Sequence, residues 1–233
     1  MRYILILLLC ASAICPALTQ KHDYNWVMGF NHNFDDPRGN MRMDFNFTPP
    51  QIIKENLGMN FALAQSAFSD SSGSLLFYTN GIKIFNKDKK LMEGGDSINY
   101  GDIWVTLQEL GYISVPVYAL PVPNQPGMCY LSHIQVELAE GPEKVINKNF
   151  YYTSIDTKSN NGLGKVLSKN NVLMTGDLMW PAVVKHGNGR DWWIMGMQRA
   201  DHEALFVPAV AAGPFRAVYP GHWAAFCACR VYG

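Results

Sequence analysis

The chain is poor in the features that would announce a chemistry. Its 233 residues carry 19 Lys and Arg against 19 Asp and Glu, so no net field draws it to nucleic acid or to an anionic membrane. The six histidines, His22, His32, His133, His186, His202 and His222, include no H-x-x-x-H pair with a carboxylate, so the zinc-protease signature is absent. There is no G-x-S-x-G nucleophile turn, and Asn161 to Lys165 (NGLGK) lacks phosphate-loop spacing and reads as a turn. Cysteine is scarce: Cys10, Cys15, Cys129, Cys227 and Cys229. The first two lie in an apolar leader, which leaves an odd three and no paired framework. Cys129, between Met128 and Tyr130, reads as a small buried hydrophobe. No amphipathic helical stretch of any length is evident, and no metal or cofactor is expected.

What is present begins with that leader. Arg2 followed by the apolar run Tyr3 to Ile14 has the form of a secretory signal, with Ala17 and Thr19 at the small-residue positions before a start at Gln20. The reading for residues 1–19 is therefore a signal peptide. It makes the product exported, to the periplasm, cell surface or medium, without a transmembrane span after cleavage. The alternative is an uncleaved anchor.

The stretch from Ala62 to Asn86 shows how the domain is built. Asp70-Ser71-Ser72-Gly73 and Asn80-Gly81 are two tight reversals joining three short strands, with Gly73, Asn80 and Gly81 tolerating positive φ. In the third strand, alternation puts Ile82, Ile84 and Asn86 on one face and Lys83 and Phe85 on the other. Further strands are expected at Asn25 to Phe30, Met43 to Phe47, Tyr112 to Val122, Met128 to Leu138, Phe150 to Asp156, Lys165 to Leu173, Ala182 to His186 and Asp191 to Met197. Pro49-Pro50 is expected to interrupt pairing, and Lys87 to Tyr100 to form a connecting loop. The predicted class is all-β, of antiparallel meander sheets in a partial β-propeller, with a β-sandwich as the alternative.

Residues 204–233 differ in composition from residues 20–203. They hold 8 Ala against 7 in the preceding 184 residues, and no Asp, Glu, Asn, Lys, Ser, Thr or Gln. A β-domain ordinarily ends in polar turn residues, so the expectation is a tail that is not native, from a reading frame disturbed near residue 203. The organisation expected is thus a leader at 1–19, a partial propeller-like domain at 20–203, and an anomalous tail at 204–233.

With these residues in view, the chain resembles the amino-terminal, WD40-like or YVTN-like propeller region of large secreted Bacteroidetes proteins, which usually end in a gliding-motility-type sorting domain for type IX secretion. The resemblance rests on Phe68 to Met92 (FSDSSGSLLFYTNGIKIFNKDKKLM) and Val184 to Met195 (VKHGNGRDWWIM), with FYYTSID and NGLGKV between them, and covers about Asn25 to Arg199. It implies a surface or secreted propeller. At roughly 40 to 50 residues per blade, 184 residues make about four blades. An open ring would expose an edge and half a blade interface, so the chain expressed alone is expected to be poorly soluble or partly unfolded.

Candidate chemistry stays open at this level. Asp70-Ser71-Ser72-Gly73-Ser74 supplies oxygens that could suit calcium, but an Asx turn explains it more simply, and the same holds for Asp23 and Asp35-Asp36. Asn46-Phe47-Thr48 matches the glycosylation tripeptide. Trp192, Trp193, Tyr151 and Tyr152 form adjacent aromatic pairs, so each pair must put one ring on each face of its strand: packing between neighbouring sheets is the first reading for both rings, with one ring of each pair open to a protein or glycan partner as the alternative. The function expected is a non-enzymatic exported module for binding, adhesion or scaffolding at the cell envelope, present as a fragment. The alternatives are a fragment of a secreted glycan-active or peptidase enzyme, with carboxylates of raised pKa clustered at one end of the ring, and a remnant without function.

Overall fold

The computed structural model describes residues 21–30, 39–114, 116–138 and 145–198, and the backbone of 204–209. The leader, Asp35-Asp36 and residues 210–233 lie outside the described residues.

The fold is all-β, four antiparallel sheets following one another along the chain, none closed into a barrel. The first sheet joins β1 (Asn25–Met28), β2 (Met41–Asp44) and β3 (Gln51–Lys54). The second joins β4 (Ser66–Ser69), β5 (Leu75–Thr79) and β6 (Ile84–Asn86). The third joins β7 (Tyr118–Pro121), β8 (Met128–Leu138), β9 (Val145–Asp156) and β10 (Lys165–Thr175). The fourth joins β11 (Ala182–Lys185), β12 (Trp192–Met197) and β13 (Ala204–Ala209). Each is a meander in sequence order, consistent with a partial propeller or a sandwich.

Side-chain amides and carboxylates close the turns. Asp70 Oδ1 accepts the backbone N–H groups of Ser72 (2.8 Å) and Ser74 (3.0 Å) and the Ser72 hydroxyl (2.6 Å). These bonds outweigh the opposing effect of burial and hold the Asp70 carboxyl below its usual range. Asn80 Oδ1 accepts from Ile82 and Lys83, Asn86 Oδ1 from Asp88 and Lys90, and Asn188 Oδ1 from Arg190 and Asp191. This is one physical device used at four reversals, a short polar side chain standing in for a backbone carbonyl. Gly81 is needed for a second reason: at φ 76°, a Cβ placed on it would lie 2.8 Å from Cβ of Tyr112.

Among the described residues, three apolar clusters lie between successive sheets. Val27, Leu57, Met59, Phe61 and Tyr78 fill the space between the first and second sheets. Phe77, Ile82, Ile84, Cys129, Leu131 and Ile155 fill that between the second and third. Leu120, Ile134, Phe150, Met174 and Ile194 join the third to the fourth. The successive residues Phe77 and Tyr78 therefore point into different clusters, and both are fully buried. As alternation required, Ile82, Ile84 and Asn86 are buried while Lys83 and Phe85 are not.

Several local expectations need correction: the strand expected at Met43 to Phe47 runs over Met41–Asp44, that expected at Tyr112 to Val122 is confined to Tyr118–Pro121, and β3 forms where no strand is expected. Pro49-Pro50 does not interrupt pairing, because it lies in the connection that lets β2 pair with β3. The Lys87 to Tyr100 loop holds a further tight turn, after which the Met92 N–H bonds the Ile84 carbonyl at 2.9 Å. A helix, α1 (Asp102–Leu107), packs against β8. The segment Lys165 to Leu173 continues to Thr175, with register shifts against β9.

β13 pairs with β12 from Trp192↔Ala209 to Met197↔Ala204, so the backbone of the first six residues after Glu203 continues the fourth sheet.

Candidate functional site

The first strand of every sheet is an edge strand: β1, β4, β7 and β11. β1 also contacts β4, and β4 contacts β7. A cleft of about 480 Å³ lies where these strands come together. Each sheet contributes to its lining: Asp23 and Trp26 from the first, Gln65 from the approach to β4, Tyr118 from β7, and Lys185 and Trp192 from the hairpin of the fourth.

The rings stand in defined settings. Trp26, 54% exposed, leans on Phe45 with centroids 4.9 Å apart, so one face rests on protein while the rest is open. The Lys185 ammonium lies 5.5 Å from the centre of the Trp192 ring, a cation over a π face. Burial pushes the Tyr118 hydroxyl above the usual tyrosine range, keeping it a neutral donor and acceptor. The floor is held by His22, whose Nδ1–H donates to the Ser69 carbonyl at 2.6 Å while its ring stacks on Phe68 at 4.8 Å. Asn25 is held too, donating to Ser69 Oγ (2.9 Å) and the Gly73 carbonyl (2.8 Å) and accepting from Arg42 (2.6 Å). By contrast, the side chains of Asp23, Gln65, Tyr118 and Lys185 make no hydrogen bond or ion pair among the described residues. The cleft thus has a bonded floor and uncommitted polar walls.

Of the four aromatics singled out in the sequence, Trp192 lines this cleft. Trp193 projects from the other face of β12 and meets His186 at 5.2 Å. Tyr151 donates its hydroxyl to Gln135 Oε1 at 2.9 Å with its ring 5.7 Å from His133, and Tyr152 meets Tyr130 edge-on at 5.6 Å. The structure does not bring these four rings together at one site. The Asn46 amide of the glycosylation tripeptide donates to Asp44 and to the Gly73 carbonyl, each at 2.9 Å.

Two buried groups have structural roles. His133 is fully buried; Nδ1 faces Asn99 Oδ1 at 2.6 Å and Nε2 faces Thr153 Oγ1 at 2.9 Å. Asn99 uses its own N–H2 to bond the Gly81 carbonyl, so its oxygen is the acceptor and His133 carries its proton on Nδ1. Burial brings the His133 pKa down to about 3. Burial likewise pushes the Cys129 thiol far above its usual range, which leaves it unreactive.

Among the described residues, the carboxylates whose titration departs from the ordinary move down. Burial raises Asp44, Glu55 and Asp70, but hydrogen bonds, with the charges of Arg42 and Lys89 for the first two, more than reverse it. Hydrogen bonds from Lys165, Lys169, Lys158 and Arg190 lower Glu93, Asp96, Asp156 and Asp191. Among the described residues no set of three His, Cys, Asp or Glu side chains is placed to hold a metal, and no helix is long and apolar enough to cross a membrane.

Comparison of the chain with protein-family models, with curated proteins and with solved structures returns no match.

Proposed function

We propose that the chain is an exported, non-enzymatic propeller-type module that binds a partner or ligand at the cell envelope, with the cleft at its first strands as the recognition site. One observation carries this reading: four sheets deliver an exposed ring, Trp26, a half-buried one, Trp192, and polar side chains that make no hydrogen bond or ion pair among the described residues to the same cleft. A concave, mostly preformed site with a few converging polar groups is the usual form of a ligand site. The propeller reading is favoured over a sandwich by the order of the sheets, each stacked on the next with its first strand toward the cleft. Binding is favoured over hydrolysis because glycosidic chemistry wants an acid of raised pKa beside a second carboxylate, whereas among the described residues the shifted carboxylates are lowered and Asp23 is the carboxylate of the lining. The apolar leader supports export.

The test is co-sedimentation of the purified full chain with envelopes of the organism that carries the gene. Envelope binding is expected, weakened at least tenfold in the Trp26→Ala, Trp192→Ala double variant. A chain that stays in the supernatant, or a double variant that binds as well as the parent, contradicts the reading.

A further inference from the structure

We infer that the ligand of the cleft is a short saccharide of about two sugar rings. The inference rests on the binding reading above and gives it a ligand class. Size is the first ground: about 480 Å³ lies within the roughly 300 to 1,000 Å³ typical of small-ligand sites. Surface chemistry is the second. A pyranose presents a face of C–H groups ringed by hydroxyls, and the C–H face suits the electron-rich face of an indole. Trp26, exposed and braced by Phe45, supplies such a ring, and Trp192, half-buried with the Lys185 ammonium over its ring, adds a second at the cleft wall.

The third ground is hydrogen bonding. Sugar hydroxyls donate and accept, so they need a wall that does both. Asp23 is an acceptor, Lys185 a donor, and Gln65 and Tyr118 are both; among the described residues none of the four makes a hydrogen bond or ion pair, and Lys185 meets the Trp192 ring. A polyanion would meet Asp23 beside Lys185, and an apolar ligand would leave these groups without partners. A peptide added to the edge of β1 or β4 is the rival occupant, since such addition relies on backbone pairing rather than on ring faces.

The experiment is calorimetric titration of the full chain with cellobiose, maltose and N,N′-diacetylchitobiose, each to 10 mM. At least one is expected to bind with a Kd between about 10 µM and 1 mM. Trp26→Ala and Asp23→Asn should each weaken it at least tenfold. Trp193→Ala, on the other face of β12, should leave it unchanged, and thermal melts equal to the parent's show that the variants fold. Binding that survives Trp26→Ala overturns the inference. So does failure of all three disaccharides and of oligosaccharides released from the envelope. If envelope binding nonetheless persists and a peptide competes for it, the saccharide is wrong and the binding module stands. If envelope binding is absent as well, both fail.

Discussion

The second and fourth sheets are built from similar hairpins and end in different situations. In β5, Phe77 and Tyr78 are adjacent and both fully buried, one packed toward the third sheet and one toward the first. In β12, Ile194 is buried against the third sheet, while across the hairpin Val184, paired with Trp193, is 45% exposed. A sheet between two neighbours needs apolar residues at every position, and an end sheet needs them at every second one. The unalternating Leu75-Leu76-Phe77-Tyr78 is thus the mark of an interior sheet. Trp192-Trp193 looks the same in sequence but divides between a packed face and an open one.

That contrast yields predictions in order of size. Phe77→Ala should destabilise the chain by about 3 to 5 kcal/mol, as for large aromatics deleted from closed cores; a loss under 1 kcal/mol in denaturant melts would mean that the second sheet is not enclosed. Acid should act next. His133 binds its proton less readily when folded, so the unfolded chain takes up more protons below its ordinary pKa. The His133 contribution is therefore complete above about pH 6.5 and is lost as pH falls toward 3, amounting to about 3 kcal/mol by pH 4. Melts from pH 7 to 4 check this, and a His133→Gln variant should flatten the profile in that window. The lowered carboxylates add their loss only below about pH 4.5.

Gly81→Ala should cost about 1 to 3 kcal/mol, since a positive φ and the nearby Cβ of Tyr112 both resist a methyl group. Smallest is Val184→Ala on the open face, within about 0.5 kcal/mol; a cost comparable to Phe77→Ala would show that this face is covered.

The hairpins around Asp70, Asn80 and Asn188 were legible because their turns are written locally. Asp70, Asn80 and Asn188 bond backbone N–H groups two to four residues away, and Gly73 and Gly81 hold positive φ, so a few residues determine each reversal. α1 was not legible: Asp-Ile-Trp-Val-Thr-Leu is rich in strand-favouring residues, and no side chain caps its start. Of the cleft, Trp192 and Asp23 stood out in the sequence, neither as part of a shared site. Asp23, Gln65, Tyr118 and Lys185 come from segments up to 162 residues apart (185 − 23), and it is sheet stacking, with no local sequence signal, that unites them. The alternating strand left His133 open as an interior or a surface residue, and the partners that hold it, Asn99 and Thr153, lie 34 and 20 residues away.

Hydrogen exchange of the full chain with and without saturating envelope material tests the central claim most directly. The account predicts added protection at the segments around Trp26, Gln65, Tyr118 and Lys185 together, with the interior of β5 unchanged because it is already slow. Protection confined to the open face of the fourth sheet, around Val184 and Trp193, with none at Trp26 and Tyr118, would contradict it.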